Sequence, residues 1–352
     1  MIQLGRIIPG LLLCFGISIP SWLLGNAFPI IGSPVFGILS GIILSMIFPK
    51  LLVTNFNDES KSWSFTFEEG VKYTSKKILQ YSIILLGFGM NLFHVLKVGN
   101  QSLYVIVFTL SAAFLTAYCI GKTIKLDNKM TTLIGVGTSI CGGSAIAATA
   151  PVINAKDEDV AHAISTIFLF NIIAVFIFPA LGALLGMSDE GFGMWAGTAI
   201  NDTSSVVAAG AAWSNAAGDN TALAFATIVK LTRTLMIVPI TLILAVYTAR
   251  NAQKNETQTN SSQFHFAKVF PWFVIGFVAT AIINTFFGVP SISEDLVEIG
   301  KFMIVMAMSA IGLNTNLVKL ITNGIKPIFL GICCWAAVAC VSLLVQKLIG
   351  IY

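Results

Sequence analysis

Apolar residues fall into eleven runs, at about 7–25, 28–48, 75–97, 102–121, 131–153, 158–186, 192–213, 222–249, 267–288, 297–321 and 326–349. Most reach the ~20 residues that carry an α-helix across a bilayer. Barrel strands would alternate over ~10 residues, and no such alternation is present. The pattern predicts an all-α polytopic membrane protein with ten or eleven transmembrane helices. Two connections stand out. Residues 61–77, with Trp63, Phe65, Phe67 and several lysines, predict a short helix lying in the membrane interface. The polar stretch 250–266 predicts a linker between an N-terminal part, 1–249, and C-terminal spans, 267–352, of one integral membrane domain. Arg6 followed by the first run has the look of a signal peptide, but a second run follows at once, which predicts an uncleaved first span.

Two of the runs are interrupted in matching fashion sixty residues apart, by Gly137-Thr138-Ser139-Ile140-Cys141-Gly142-Gly143-Ser144 and by Gly197-Thr198-Ala199-Ile200-Asn201-Asp202-Thr203-Ser204. Glycines and hydroxyl residues lower helix propensity and leave backbone groups without partners where water is absent. Such backbone at membrane depth lines a cavity or is packed inside protein, so the pair predicts an embedded binding site.

A second similarity relates Lys76, Gly87, Asn91, Leu92 and Gly99 to Lys301, Gly312, Asn316, Leu317 and Gly324. Seven crossings separate these copies, so they would point opposite ways, as in the inverted repeats of secondary transporters. The sixty-residue similarity fits that layout less easily, because one full span lies between its copies. Broken helices that both cross would run parallel. Hairpins entering from opposite faces would restore the inversion, and both geometries stay open.

Charge adds orientation. Hydrophobic residues make up 56% of the chain and charged ones 10%, with mean hydropathy +0.87, which excludes a soluble globular domain. Of 20 basic residues, 14 fall in loops on the N-terminal side if every run crosses, so that side is expected to be cytoplasmic. The net charge of +4 therefore reflects topology, and nucleic-acid binding is not expected. All six cysteines lie in apolar runs without CxxC or Cys/His clustering, so neither disulfides nor a metal site is expected.

Broken helices bring free N–H groups and positive dipole ends toward the bilayer middle, where they attract anions. Thr138, Ser139, Gly142, Gly143, Ser144, Thr203, Ser204 and Ser205 are the candidate donors. Small-residue packing accounts for Ala145–Ala150 and Ala208–Ala212 but not for the Asn201-Asp202 pair beside three hydroxyls. Lys230 and Arg233, three apart deep in the run 222–249, share a helical face. Charges inside a span cost ~2.5–3.5 kcal/mol each on insertion scales and usually face a pathway. They are expected to supply charge to a substrate, or else to brace the fold by pairing with Asp202. With Asp202 ionised the trio carries +1, which suits a small anion. Asn201 and Asp202 are the candidates for binding a coupling H+ or Na+, together with Asn91, Asn314 and Asn316, which could instead cap broken helices. No HExxH, P-loop, Rossmann or GxSxG motif and no nucleophile–base pair is evident, so neither an enzyme nor a cofactor is expected.

The runs at 137–148 and 197–210, with Val-Lys-Leu-Thr-Arg at 229–233, resemble the YeiH-type family of bacterial inner-membrane proteins, whose family name implies export of sulfate. The likeness extends from about residue 9 to 350. Where that family has Asp-Thr-Ser-Gln, this chain has Asp-Thr-Ser-Ser at 202–205. More distantly, Cys141-Gly142-Gly143-Ser144 is similar to the broken-helix region of bile-acid/sodium symporters and sodium/proton antiporters. That resemblance implies a panel domain, a moving core domain, and a site where two broken helices cross. The expected function is secondary active transport of a small inorganic anion, sulfate or sulfite, by alternating access. The alternatives are a sodium- or proton-coupled symporter of an organic carboxylate or sulfonate, and a passive anion channel. Expected partners are that anion, the lipid bilayer and, in a homodimer, a second copy of the chain.

Overall fold

The computed structural model describes residues 2–28, 32–48, 67–254, 272–288, 290–315 and 324–352. Every one of the eleven apolar runs contains helix, and no strand occurs among the described residues. In chain order the helices are α1 (Ile2–Ala27), α2 (Ser33–Ile47), α3 (Glu68–Tyr73), α4 (Leu79–Leu86), α5 (Leu92–Thr123), α6 (Asn128–Ser139), α7 (Gly143–Thr149), α8 (Asp157–Leu184), α9 (Asp189–Ala199), α10 (Thr203–Ala217), α11 (Thr221–Leu235), α12 (Ile237–Lys254), α13 (Trp272–Phe287), α14 (Pro290–Asn314) and α15 (Ile325–Ile349). Six apolar stretches of 22 to 32 residues are long enough to cross a membrane, and α2 and α13 are shorter apolar helices. The all-α polytopic architecture is thus what the hydropathy pattern predicts.

Three expectations change in detail. Residues 68–89 form one continuous helical stretch, because a π-turn at Thr74–Ile78 joins α3 to α4 and a 3-10 turn follows at Gly87–Gly89. The described part of the helix expected in the interface runs without a break into the third apolar run, with Gly70 and Val71 buried; residues 61–66 lie outside the described residues. The fourth span starts at Leu92 rather than about 102, since Asn91 Oδ1 accepts from Phe93 N at 2.9 Å and caps α5. The linker expected at 250–266 begins as α12, which runs to Lys254, and the rest lies outside the described residues.

The chain gathers into two compact units, each drawn from three stretches, rather than dividing at the linker. Unit 1 comprises 1–95, 207–224 and 273–317; unit 2 comprises 96–206, 225–272 and 318–352. Lipid tails are as apolar as leucine, so close backbone approach and interhelical hydrogen bonds must hold helices together. In unit 1, α2 lies directly on α14. A Cβ on Gly41 would sit 2.3 Å from Ser309 O, and one on Gly312 would sit 2.3 Å from Ile38 O. Only glycine permits that contact at either position. Helix α13 runs parallel to α4, with Gly276 against Ile84 and Asn284 Nδ2 donating to Met90 O at 3.2 Å.

Unit 2 centres on α6, which buries Leu133 and Ile134 among Ile146, Ala163, Ile167, Leu330 and Cys334 from α7, α8 and α15. Helix α9 docks on α15 through Trp195 Nε1, which donates to Ala339 O at 3.1 Å, and through Thr198 and Ser342, whose hydroxyls lie 2.6 Å apart.

The interrupted runs re-enter rather than cross. Lys129, at the start of α6, donates from Nζ to Asn154 O at 2.6 Å, so both ends of segment 128–154 lie at one face. Twelve residues of α6 also extend only about 18 Å at ~1.5 Å per residue, roughly half a bilayer. Chain parity gives the same result for 189–217. Helices α8 and α15 run parallel, with Gly331 against Thr166 and Phe170, and the Tyr352 hydroxyl donating to Leu185 O at 3.3 Å. An odd number of crossings must therefore lie between them. The stretch α11–α12, bent at Met236 where Pro239 cannot donate to Leu235, makes one, and α13 and α14 make two more. Segment 189–217 consequently adds none. Six described stretches are long and apolar enough to cross, and because one of them, α8, separates the two hairpins, these enter from opposite faces.

Candidate functional site

Each hairpin tip is a short loop closing a C-terminal helix end against an N-terminal one. Helix α6 stops at Ser139, and Gly142 turns the chain with φ 70° and ψ −128°, a conformation that glycine alone adopts readily. Its N–H donates back to Gly137 O at 3.0 Å. Helix α9 stops at Ala199 because Ile200 is extended, and α10 begins at Thr203. The tips meet inside unit 2, where a Cβ on Gly142 would lie 3.6 Å from Asp202 Cβ and 3.7 Å from Asn171 Nδ2.

Lys230 and Arg233 join the two C-terminal ends. Both are 0% exposed. Lys230 Nζ donates to Ile140 O at 2.8 Å, to Ile200 O at 3.0 Å and to Asn201 O. Arg233 donates from Nε to Ser139 O at 2.6 Å, from one terminal nitrogen to Thr198 O at 2.5 Å and Ile200 O at 3.2 Å, and from the other to Thr138 O. Each cation thus bonds carbonyls of both hairpins. Helix C-termini leave carbonyls unpaired and carry about −0.5 charge each, so cations are the natural cap where water is absent. The three ammonium donors and four of the five Arg233 N–H donors go to carbonyls, so these bonds fasten the hairpins and show no direct contact with a substrate. Pairing with Asp202 is not the brace either: no ion pair within 4.0 Å joins it to these cations among the described residues.

The N-terminal sides of the tips are the accessible ones. Ser144 is exposed, Gly143, Asp202 and Thr203 are half-buried, and Ser204 and Ser205 are buried. Asp202 caps α10, accepting from Ser204 N at 2.9 Å and from the Ser204 hydroxyl. Its own N–H donates to Asn171 Oδ1 at 3.2 Å. Beneath lie Asn201, 0% exposed with neither side-chain Nδ2 nor Oδ1 hydrogen-bonded, and the unbonded Asn171 Nδ2 and Thr138 Oγ1. The Ser139 hydroxyl is buried and donates to Val136 O at 3.1 Å. Asn171 escaped the sequence reading, although an asparagine in the middle of the apolar run 158–186 was the signal available.

The structure does not gather every candidate here. Asn91 is a helix cap in unit 1, and Asn314 is an exposed residue at the end of α14, also in unit 1. Asn316 lies outside the described residues. No cluster of three or more metal-ligating side chains occurs among the described residues.

The hairpin tips and their two cations all fall within a match to a protein family. The family model described as Conserved hypothetical protein 698 matches residues 9–331. Among similar proteins, a UPF0324 membrane protein of Streptococcus pyogenes serotype M18 is 51% identical over 99% of this chain and 98% of its own length. One of Fusobacterium nucleatum subsp. nucleatum is 47% identical over 97% of this chain and 98% of its own, and one of Streptococcus mutans serotype c is 49% identical over 97% of each. The chain belongs to the UPF0324 membrane protein family, to which the YeiH-type resemblance points.

Proposed function

We propose that the protein is a secondary active transporter of a small inorganic anion, sulfate or sulfite, working by alternating access in the bacterial inner membrane with its N-terminus in the cytoplasm. The observation that carries this reading is the meeting of two re-entrant tips, held together by Lys230 and Arg233, beside Asp202 as the one acid. Two cations and one carboxylate leave a formal +1 in a setting of low dielectric, where an anion is the charge that lowers the energy. The amides and hydroxyls of Gly143, Ser144 and Thr203 are the accessible donors for such an anion, and the buried cations act through their field and by fixing the tips. Asp202, half-buried and accessible, is the group to couple flux to H+ or Na+. A division into two compact units supports relative motion of one against the other as the transport step.

Counterflow tests the carrier reading. Proteoliposomes preloaded with unlabelled sulfate or sulfite should accumulate the labelled anion transiently above its equilibrium level. Simple equilibration without overshoot, unsaturable at low millimolar anion, would replace the carrier with a channel.

A further inference from the structure

A cavity of about 220 Å³ lies wholly within unit 1, where the return arm of the second hairpin and the loop after it face α1, α2 and α14. The tip site does not account for it. Lys301 lines this cavity from eleven residues inside α14, within an apolar stretch long enough to span the membrane. A charge at such a position faces a cavity or a pathway and marks function by default. Lys301 is also the residue matched to Lys76 in the internal repeat, a likeness that the tip site leaves unused. Its Nζ bonds Glu298 at 2.6 Å, which occupies one of three ammonium donors.

The remaining lining supplies the complement. Asp219 caps α11, accepting from Thr221 N at 2.9 Å and from Thr221 Oγ1 at 3.2 Å, and its two oxygens retain acceptor capacity. Asn215 and Asn220 add amides, and Trp22, held edge-on to Phe302 with ring centroids 5.7 Å apart, adds an aromatic wall. The lining itself holds one lysine and one aspartate, and the Glu298 carboxylate on Lys301 makes an anion alone still less favourable, so the ligand must bring a cationic group to Asp219 as well as an acidic group to Lys301. Drug-sized pockets begin near ~300 Å³, so the ligand is small. We infer that this cavity binds a small zwitterion, an amino acid or an aminosulfonate, with its acidic group on Lys301 and its ammonium on Asp219 and the face of Trp22. The site is independent of the anion reading and would stand if that reading failed.

Calorimetric titration of the purified full-length protein with glycine, β-alanine and taurine, and with sulfate, propionate and ethylamine as single-charge probes, tests it. At least one zwitterion should bind tenfold or more tighter than every single-charge probe. Lys301→Gln and Asp219→Asn should each weaken that binding at least tenfold, with both variants eluting as monodisperse protein; asparagine keeps the α11 cap. Should a variant fail to fold, the wild-type ranking of probes decides alone. No zwitterion binding, sulfate binding as well as the zwitterions do, or unchanged affinity in both folded variants would overturn the assignment.

Discussion

Lys230 and Arg233 fasten the two tips through main-chain carbonyls, a role that stabilises the proposed site whatever its cargo. Removing one leaves buried carbonyls with no partner, and each such orphan costs about 1–3 kcal/mol. Lys230→Met strands the carbonyls of Ile140 and Asn201, while Ile200 O keeps its bond from Arg233, so its thermal melting in detergent should fall by about 2 kcal/mol or more of stability. Arg233→Lys keeps the charge but replaces a planar fork making four carbonyl bonds with a point ammonium. It should lose ~1.5–3 kcal/mol by the same measurement. Melting curves unchanged in both variants would show that the cations do not hold the tips. Asp202 behaves differently, because asparagine caps a helix about as well as aspartate. Asp202→Asn should therefore melt within ~1 kcal/mol of wild type while losing the gradient dependence of uptake. Retained gradient dependence would move the coupling role elsewhere.

Among the elements, the hairpins carry the account. Gly142 at the first tip holds a backbone shape that side chains resist, and Gly142→Ala should cost ~1–3 kcal/mol in melting and slow transport. Re-entry has its own test in single-cysteine proteins lacking the native thiols. Lys129→Cys and Asn154→Cys should react with an impermeant thiol reagent from the same face, and Ser188→Cys and Gly218→Cys from the other. Labelling of positions 129 and 154 from opposite faces would restore crossing broken helices. Hydropathy placed helix in all eleven apolar runs, and the Gly/Ser/Thr interruptions located both breaks to within a residue or two. It could not say whether a broken segment returns, because a 12-residue helix followed by a 7-residue one has the apolar length of a span. The tether that decides, Lys129 to Asn154, joins residues 25 apart. Likewise the polar residues 99–101 suggested a loop, yet they sit inside α5, whose actual start is set by the side chain of Asn91.

At the scale of the whole molecule, sequence and structure complement each other unevenly. The composition of residues 1–352 determined the class, and the unusual motifs determined the family. The identity of the tip residues was legible for the same reason: glycines, hydroxyls and charges are conspicuous in an apolar chain. Their roles were not, since the bonds of Lys230 and Arg233 go to main-chain carbonyls, which no residue pattern displays. Nor was the division into two units, each of which interleaves three stretches, visible in a sequence whose one obvious boundary is a polar linker. That division gives the transport proposal its physical basis, because one unit contains both tips where they meet and both cations that fasten them. The most direct measurement is uptake of radiolabelled sulfate and sulfite into proteoliposomes, with and without an imposed pH or sodium gradient. Saturable uptake of at least one anion, accelerated by one of the gradients, is the predicted result. Absence of flux for both anions from protein shown to be folded would contradict the small-anion assignment.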